Sequence, residues 1–164
     1  MKRVSIGVSL VIAAALASAC GKDNPAEKTG DGTLLTPYLA IGDTLASDKL
    51  DALDKLGAQV IQAAESMQGQ PGVDAMVQGA GRVGAQDIQT ARSAFQKMSG
   101  GMIEYLKANP DAQSGNTIVH CPMTFGGKGG LWVQPQGKVM NPYEGAMMLH
   151  CGDKLDWTAE LPQT

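Results

Sequence analysis

The sequence contains few side chains that commonly bind metals or form covalent intermediates. Its 164 residues include only two histidines and three cysteines, and aromatic residues make up 4% of the chain. A hydrophobic core must therefore be built mainly from Ala, Leu, Val, Ile and Met. The scarce donors are not scattered, because each histidine directly precedes a cysteine, in His120-Cys121 and in His150-Cys151.

The chain also lacks clusters of basic residues. Its 13 Lys and Arg are outnumbered by 16 Asp and Glu, which gives a formal net charge of −3. A protein that neutralises phosphates needs a basic patch, so we expect no nucleic-acid partner. No nucleophile–base pair or oriented pair of carboxylates stands out either, because the acidic residues lie mainly on predicted helix faces. The sequence therefore predicts a protein that is not an enzyme.

A long run that is both uncharged and largely apolar extends from Val4 to Ala19, and it follows the cationic start Met1-Lys2-Arg3. This pattern is typical of a signal peptide, and the run is short for a membrane span. Its end, LASAC, resembles the lipobox of bacterial lipoproteins, so we expect residues 1–19 to be removed and Cys20 to be acylated. The protein is then predicted to face the periplasm, anchored to the bacterial cell envelope by lipid. An ordinary secretory signal, in which Cys20 has no role, is the alternative.

Apolar periodicity predicts a helical domain that begins at residue 33. Residues 20–32 contain the acylated Cys20 and then a stretch rich in Gly, Pro and charge, which is typical of a flexible tether. Beyond it, helical spacing indicates a helix from Thr33 to about Leu45, a second from a cap at Ser47 or Asp48 to about Met67, and a third from Ala85 or Asp87 to Ala108.

Glycine makes two parts of this helical region harder to interpret. Residues 73–84 end in GAGRVG, and they could form either a frayed helix or a loop. Gly100 and Gly101 lie inside the predicted third helix, where each costs about 1 kcal/mol relative to alanine. A kink or a close contact between helices is therefore expected at these two residues.

Helical periodicity ends at Pro110. Residues 112–164 are rich in glycine and proline and contain only short apolar pieces, such as 117–119 and 131–133. A long segment of this kind is usually functional, disordered, or held by a cross-link or a metal. We therefore predict an all-α fold over residues 33–164, a small helical bundle with an irregular C-terminal cap at about 112–153, in which one short hairpin can form.

If Cys20 carries lipid, Cys121 and Cys151 are the only thiols of the mature chain. Cu(I) is a soft ion that prefers thiolate and thioether ligands, and Met123 and Met148 lie close to these cysteines in sequence. An extended segment would place Cys121 and Met123 on one face, and one helical turn would bring Met148 and Cys151 together. The sequence thus predicts a Cu(I) site with two thiolates and two thioethers, with Ag(I) as a second soft ion.

Three further residues are candidate ligands. Met147 adds a thioether, and His120 or His150 could complete the site or hydrogen bond to its ligands. Alternation along an extended segment, however, points His120 away from a metal held by Cys121. Zinc is the rival ion, since two Cys and two His give a Cys2His2 count, but contiguous His-Cys pairs lack the usual spacing of zinc ligands. We therefore rank zinc below copper.

A disulfide between Cys121 and Cys151 is the alternative to a metal site. Cysteine pairs outside the cytoplasm are commonly disulfides, and nine methionines make a chance neighbour easy to find. The disulfide would staple the glycine-rich tail of a structural or interaction lipoprotein, which would dock on an envelope or efflux partner. The chemistry of these residues leaves both hypotheses open.

The run from residue 120 to 152, HCPMTFGGKGGLWVQPQGKVMNPYEGAMMLHCG, resembles the signature of a small periplasmic family. That signature comprises a Cys-Pro-Met, a Lys-Gly followed by a Trp, an Asn-Pro-Tyr-x-Gly and a Met-Leu-x-Cys-Gly. The matching residues are Cys121-Pro122-Met123, Lys128-Gly129 with Trp132, Asn141-Pro142-Tyr143 with Gly145, and Met148-Leu149 with Cys151-Gly152. The helical part is similar too, at Tyr38-Leu39 and at Ala91-Arg92 with Phe95, so the resemblance extends from residue 33 to 153.

The family that this run resembles is a domain of unknown function, which occurs alone and appended to adaptor subunits of copper and silver efflux pumps. The resemblance implies a compact helical bundle with the signature as its cap, a role in copper handling, and a copper efflux component as a partner. The chain departs from the family pattern in GGKGGLW, where polar and aromatic residues are more usual. The expected function is therefore Cu(I) binding for copper buffering, tolerance or transfer.

Overall fold

The structure, a computed structural model, describes residues 32–164. The predicted signal peptide (1–19), the acylated Cys20 and the tether up to residue 31 lie outside the described residues. None of the helices in the described part is both long enough and apolar enough to cross a membrane.

Four main helices form from the segments in which apolar residues recur at helical spacing. They are α1 (Gly32–Ala46), α2 (Leu53–Ala64), α3 (Val73–Val83) and α4 (Ile88–Ala108), and a 3₁₀ turn (Glu65–Met67) extends α2. The predicted first and third helices are confirmed. Tyr38 and Ile41 of α1 are fully buried. Asp87 caps α4, since its carboxylate accepts a hydrogen bond of 2.8 Å from the N–H of Thr90. Burial of such a face supplies most of the stability of a helix in a protein.

The predicted start of the second helix is wrong. α2 begins at Leu53 and not after a cap at Ser47 or Asp48. The reason is that Asp48 and Ala52 have left-handed backbone conformations, with φ of 56° and 61°. A right-handed helix cannot continue through such residues. The side chain of Asp48 has other partners, which are described below.

Residues 73–84, for which the sequence allowed a helix or a loop, form helix α3. This helix lies against α4, and the two backbone segments approach closely where Gly72, just before α3, meets Gly101 of α4. A Cβ on Gly101 would overlap the carbonyl oxygen of Gly72, whereas a Cβ on Gly100 would meet open space. The close helix contact expected from the glycine pair is therefore confirmed, and Gly101 is the residue that makes it.

The C-terminal part is not irregular throughout, so the fold is rich in helix but not purely all-α. Three strands, β1 (Asn116–Cys121), β2 (Gly130–Pro135) and β3 (Asp153–Leu155), form an antiparallel sheet in the order β2-β1-β3. The expected hairpin is present as β1–β2, with Ile118 opposite Val133. β-Branched and aromatic residues in both pieces favour this pairing. Strand β3 has only three residues and too short a pattern to be recognised in the sequence.

Short turns connect these strands. They are a 3₁₀ turn before β1 (Pro110–Gln113), a single helical turn α5 between β1 and β2 (Thr124–Gly127), and a 3₁₀ turn between β2 and β3 (Gly145–Met147). Met147 ends the last of these turns, and the loop after it contains Met148, His150 and Cys151, three more of the residues that the sequence associates with metal binding.

Aromatic side chains join the sheet to the helices. The Tyr38 ring stacks on Phe95 with the ring centroids 4.9 Å apart, and Tyr143 lies 5.9 Å from Phe95. The Tyr38 hydroxyl accepts a hydrogen bond of 3.0 Å from the N–H of Val133 in β2 and shares another of 2.9 Å with Ser99 Oγ in α4. Burial raises the pKa of Tyr38 above its ordinary value, so this hydroxyl stays protonated. One phenol thus links α1, α4 and the sheet.

Candidate metal site

The two cysteines of the predicted site lie on different elements. Cys121 is the last residue of β1, where it is opposite Gly130, and its side chain is fully buried. Cys151 lies near the end of the loop between β2 and β3 and is partly exposed. Both are free thiols. Two residues that are far apart in sequence can therefore meet at the edge of the sheet.

The two thiols lie close together, because β1 pairs with β3 with His120 opposite Asp153. A hydrogen bond with the Cys121 thiol raises the pKa of Cys151 to about 11, and burial of Cys151 is the second cause. The charges of Glu144 and Asp153 contribute in the same direction. A metal cation that binds Cys151 would have to displace its thiol proton. The negative charges of Glu144 and Asp153 would then favour the bound cation. The arrangement consists of two adjacent soft donors with negative charge nearby.

The loop that carries Cys151 is held by Asn141, whose side chain is fully buried. Asn141 Nδ2 donates a hydrogen bond of 3.1 Å to the carbonyl oxygen of Cys151, and Oδ1 accepts bonds of 2.9 and 3.2 Å from the N–H groups of Tyr143 and Glu144. The main-chain N–H of Asn141 donates to the carbonyl oxygen of Leu149 at 2.8 Å. A buried amide satisfied in this way fixes the shape of an otherwise irregular loop.

The predicted thioether ligands lie beside the cysteines, but the local geometry differs from the prediction. β1 ends at Cys121, and Met123 has a helical conformation (φ −81°, ψ −18°), so alternation in an extended segment does not align the two side chains. Met148 is not helical (φ −140°, ψ 46°), because the 3₁₀ turn ends before it. A hydrogen bond of 2.9 Å from the Cys151 N–H to the Met148 carbonyl oxygen closes a turn between those two residues.

The three methionines of the site differ in exposure. Met148 is half-buried, whereas Met123 is 59% exposed and Met147 is 82% exposed. Met123 and Met147 are the two large hydrophobic side chains with the greatest exposure among the described residues. Such flexible thioethers at the surface can reorient at little cost.

Neither histidine is directed to the two thiols by the contacts that the structure shows. Alternation along β1 places His120 on the opposite face of the strand from Cys121, and its Nε2 lies against Gly129, only 2.8 Å from where a Cβ of that residue would be. His150 is exposed, and its Nδ1 is 2.8 Å from the carbonyl oxygen of Val139. The structure thus brings the cysteines together without either imidazole.

One buried hydroxyl near Cys121 has no hydrogen-bond partner within residues 32–164. It is Oγ1 of Thr124, a residue that is 1% exposed. The Cγ2 atom of Thr124 would lie 3.0 Å from a Cβ on Gly130, the residue paired with Cys121, so Thr124 lies on the same side of the sheet as that cysteine. An unpaired buried hydroxyl usually costs about 1–3 kcal/mol.

Trp132 and Tyr143 pack beneath the site. Their rings are 5.7 Å apart and nearly perpendicular, the Tyr143 hydroxyl donates to the Leu131 carbonyl oxygen at 2.6 Å, and Trp132 Nε1 donates to Gln134 Oε1 at 3.1 Å. Burial raises the pKa of Tyr143 well above its ordinary value. Both polar atoms are occupied by the protein itself.

Three residues that contribute to this site were not identified from the sequence as part of it: Asp48, Arg92 and Thr124. The Arg92 side chain is buried in α4 and reaches the loop before Met147, where it donates to the carbonyl oxygen of Pro142 at 3.0 Å. A charged residue at a buried helix position, one turn after Ile88, was the available signal for Arg92. Thr124 had no such signal, because its importance depends on contacts between distant segments.

Within residues 32–164, no group of three or more His, Cys, Asp and Glu side chains is placed to hold one metal ion. A site made of two thiols and two thioethers does not require such a group, and it agrees with the soft-donor preference of Cu(I).

Comparisons with protein-family models, with curated proteins and with solved structures found no match to this chain.

Proposed function

We propose that this chain binds one Cu(I) ion through Cys121, Met123, Met148 and Cys151, with Ag(I) as an alternative ion of the same softness. Its role would be copper buffering, tolerance or transfer. The observation that carries the proposal is the proximity of the two free thiols, which the pairing of β1 with β3 brings together from distant segments. Two thiolates are the minimal ligand set that Cu(I) accepts, since the ion needs as few as two soft donors.

Thioethers complete the proposed site. Met148 is joined to Cys151 by a hydrogen-bonded turn, and Met123 follows Cys121 after a single proline. The exposed Met147 is a further donor, suited to receive the ion from solution or to pass it to a partner. Carriers must bind and also release their ion, and an exposed, flexible donor allows both.

Zinc fits this arrangement less well than copper. A tetrahedral Cys2His2 site would need His120 and His150 beside the thiols. His120 lies on the opposite face of β1, and the Nδ1 atom of His150 is engaged with the carbonyl oxygen of Val139. Either histidine would have to rotate away from its present neighbours before it could bind a metal.

The cellular setting of the proposal comes from the sequence. The lipobox-like LASAC supports a lipoprotein anchored through Cys20 and facing the periplasm. The resemblance of residues 33–153 to a family associated with copper and silver efflux pumps supports an efflux component as the partner. The proposed role consists of binding and transfer, and it includes no catalytic cycle.

A second candidate function rests on the same pair of thiols. Adjacent free cysteines are also the precursors of a disulfide, and an oxidising compartment favours that product. In this case the chain is a structural or interaction lipoprotein whose Cys121–Cys151 disulfide staples the region that docks on an envelope or efflux partner. The two candidates differ in the oxidation state of the thiols and in whether the thioethers are needed.

An anaerobic competition titration with Cu(I) tests the proposal. Residues 21–164 contain every described helix and strand, so this soluble form is suitable, with its free thiols counted before each titration. We expect one Cu(I) per chain and binding at least about tenfold weaker in Met123→Leu/Met148→Leu, because tenfold corresponds to about 1.4 kcal/mol and each lost thioether removes a ligand.

Met67→Leu serves as the control, since this methionine lies in the 3₁₀ turn after α2 and outside the site. Its affinity should equal that of the wild type. If the fully reduced protein does not compete for Cu(I) at all, the copper proposal is rejected and the disulfide-stapled module becomes the better description.

A further inference from the structure

The side chain of Arg92 connects three segments of the fold. It is 6% exposed. Its Nε donates a hydrogen bond of 3.0 Å to the carbonyl oxygen of Pro142, and one of its terminal nitrogens, Nη2, donates to the carbonyl oxygen of Leu45 at 3.2 Å and to the Asp48 carboxylate at 2.6 Å. A buried guanidinium must be compensated by such acceptors, and its planar geometry suits several of them at once.

Asp48 extends this connection to Ala146, in the loop between β2 and β3. Its second carboxylate oxygen accepts a hydrogen bond of 2.8 Å from the main-chain N–H of Ala146. Asp48 has a left-handed conformation, which places its side chain toward the loop and not along a helix. Gly145 also has positive φ, at 55°, and a Cβ there would overlap the Asp48 carboxylate. The loop and Asp48 therefore fit each other closely only because residue 145 lacks a side chain.

Arg92 and Asp48 hold two main-chain atoms at the base of the loop that carries the proposed ligands Met148 and Cys151. Pro142 O and Ala146 N are at the two ends of the turn that leads into Met147 and Met148. Beyond it, the hydrogen bond from Cys151 N–H to Met148 O joins the two ligands to each other. The chain between the held atoms and the ligands is thus short and internally bonded.

We propose that Arg92 and Asp48, here called the Arg92–Asp48 clamp, are positioning residues for metal binding, which hold Met148 and Cys151 near Cys121 before the ion arrives. This inference rests on the proposed function. Ordering a loop during binding reduces affinity, and a loop that is ordered beforehand avoids that cost. Asn141 acts from inside the loop, whereas the clamp anchors the loop to α4 and to the end of α1. The clamp touches no metal ligand directly.

The clamp can be tested with a graded series at Asp48. Asp48→Asn keeps one oxygen that can accept from Ala146 but loses the ion pair, and Asp48→Ala loses both. Asp43→Asn is the control, because Asp43 is a carboxylate of α1 that forms no part of the clamp. Arg92→Lys gives a second test from the other side, since an ammonium group cannot reach three acceptors with the geometry of a guanidinium.

Two readouts separate positioning from simple stability. Hydrogen exchange of the metal-free, reduced protein reports whether the amides of residues 141–151 are ordered, with the amides of α4 as an internal reference. Cu(I) competition then reports the affinity. We expect the exchange rate in the loop to rise at least about tenfold in Asp48→Ala and by less in Asp48→Asn, while exchange in α4 stays unchanged. The Cu(I) affinity should fall about tenfold in Asp48→Ala and severalfold in Asp48→Asn.

The outcomes are distinguishable. Wild-type exchange rates in the loop of Asp48→Ala would overturn the clamp, and so would faster exchange with unchanged affinity, because the order of the loop would then be irrelevant to binding. Failure of the wild-type protein to bind Cu(I) would reject the proposed function and the positioning role with it. In that case, faster loop exchange in Asp48→Ala would show only that the Arg92–Asp48 clamp is a structural contact. Parallel losses of loop order and affinity, absent in Asp43→Asn, would support the inference.

Discussion

The helical part (32–108) and the C-terminal part (110–164) of this protein maintain their structure by different means. Side-chain hydrogen bonds within the helices are mainly local, such as those from Thr44 to the Ala40 carbonyl oxygen and from Ser93 to the Gln89 carbonyl oxygen. In the C-terminal part, Asn141 and Gln134 bond to main-chain groups of the surrounding loops. The difference arises because a helix satisfies its own backbone, whereas irregular chain must use side chains to do so.

This difference indicates where function can be altered without loss of the fold. The helices depend on many apolar contacts, so one substitution on their surface changes little. The loop before Cys151 depends on a few polar residues, so a single change can alter its shape while the core stays intact. The proposed metal ligands lie entirely in this second part.

The largest effect is expected where two helices touch through glycine. Gly101→Ala should lower the free energy of unfolding by about 3 kcal/mol, because the added Cβ overlaps the Gly72 carbonyl oxygen and forces α3 away from α4. Urea denaturation measures the change. Gly100→Ala is the matched control, since its Cβ meets open space, and it should raise stability by up to about 1 kcal/mol. Equal effects of the two substitutions would contradict the proposed helix contact.

A smaller effect is expected at the junction of the two parts. Tyr38→Phe should cost about 2 kcal/mol, because the N–H of Val133 loses its hydrogen-bond acceptor in a buried position. Thermal or urea unfolding tests this expectation. Ser99→Ala should cost less, since the bond between Tyr38 and Val133 remains. If Tyr38→Phe is neutral, the phenol is not what joins the sheet to the helices.

The ion pair of the clamp should contribute less to the free energy of unfolding, and its contribution should depend on pH. The N–H of Ala146 and then the Arg92 guanidinium lower the pKa of Asp48. A lowered folded-state pKa means that the carboxylate stabilises the fold above its ordinary pKa of about 3.9 and that this stabilisation is lost as pH falls through the folded-state pKa. At pH 7 the loss in Asp48→Asn should be about 1 kcal/mol, a modest value because Asp48 is 43% exposed.

Unfolding measured from pH 7 down to pH 3 checks this sign. The difference between wild type and Asp48→Asn should be constant near neutrality and shrink below about pH 4. Asp43→Asn should instead raise the free energy of unfolding at neutral pH, because partial burial raises the pKa of Asp43 and its charge there opposes folding. A difference for Asp48→Asn that grows toward acid would refute the assignment.

The smallest effect on stability is expected at the exposed thioethers. Met123→Leu and Met147→Leu should each change the free energy of unfolding by less than about 0.5 kcal/mol, because these side chains are 59% and 82% exposed. Met98→Leu, at a fully buried position in α4, should cost up to about 1.5 kcal/mol. Denaturant midpoints provide the comparison. Neutral substitutions at 123 and 147 would allow any loss of Cu(I) binding to be attributed to a lost ligand.

Much of the helical part could be predicted from local pattern. Apolar spacing identified α1 and α4, and Asp87 was one of the two predicted starts of α4. The error at Asp48 is instructive, since aspartate is a good helix cap by composition, yet here its carboxylate accepts from Ala146 in a distant loop. The all-α prediction describes the helical part, and the hairpin expected in the C-terminal part is present as β1–β2, but β3 was missed because so short a strand has no recognisable pattern without its partner.

The sequence by itself determined where α1 and α4 lie and concentrated the scarce soft donors in two short motifs. Both properties are local, because periodicity and composition act within a segment. Only the tertiary structure decided that the Cys121 and Cys151 thiols lie close together and that Arg92 and Asp48 hold the loop before Met147. These relations join residues distant in the chain, and they depend on how α1, α4 and the sheet pack together, which no single segment specifies.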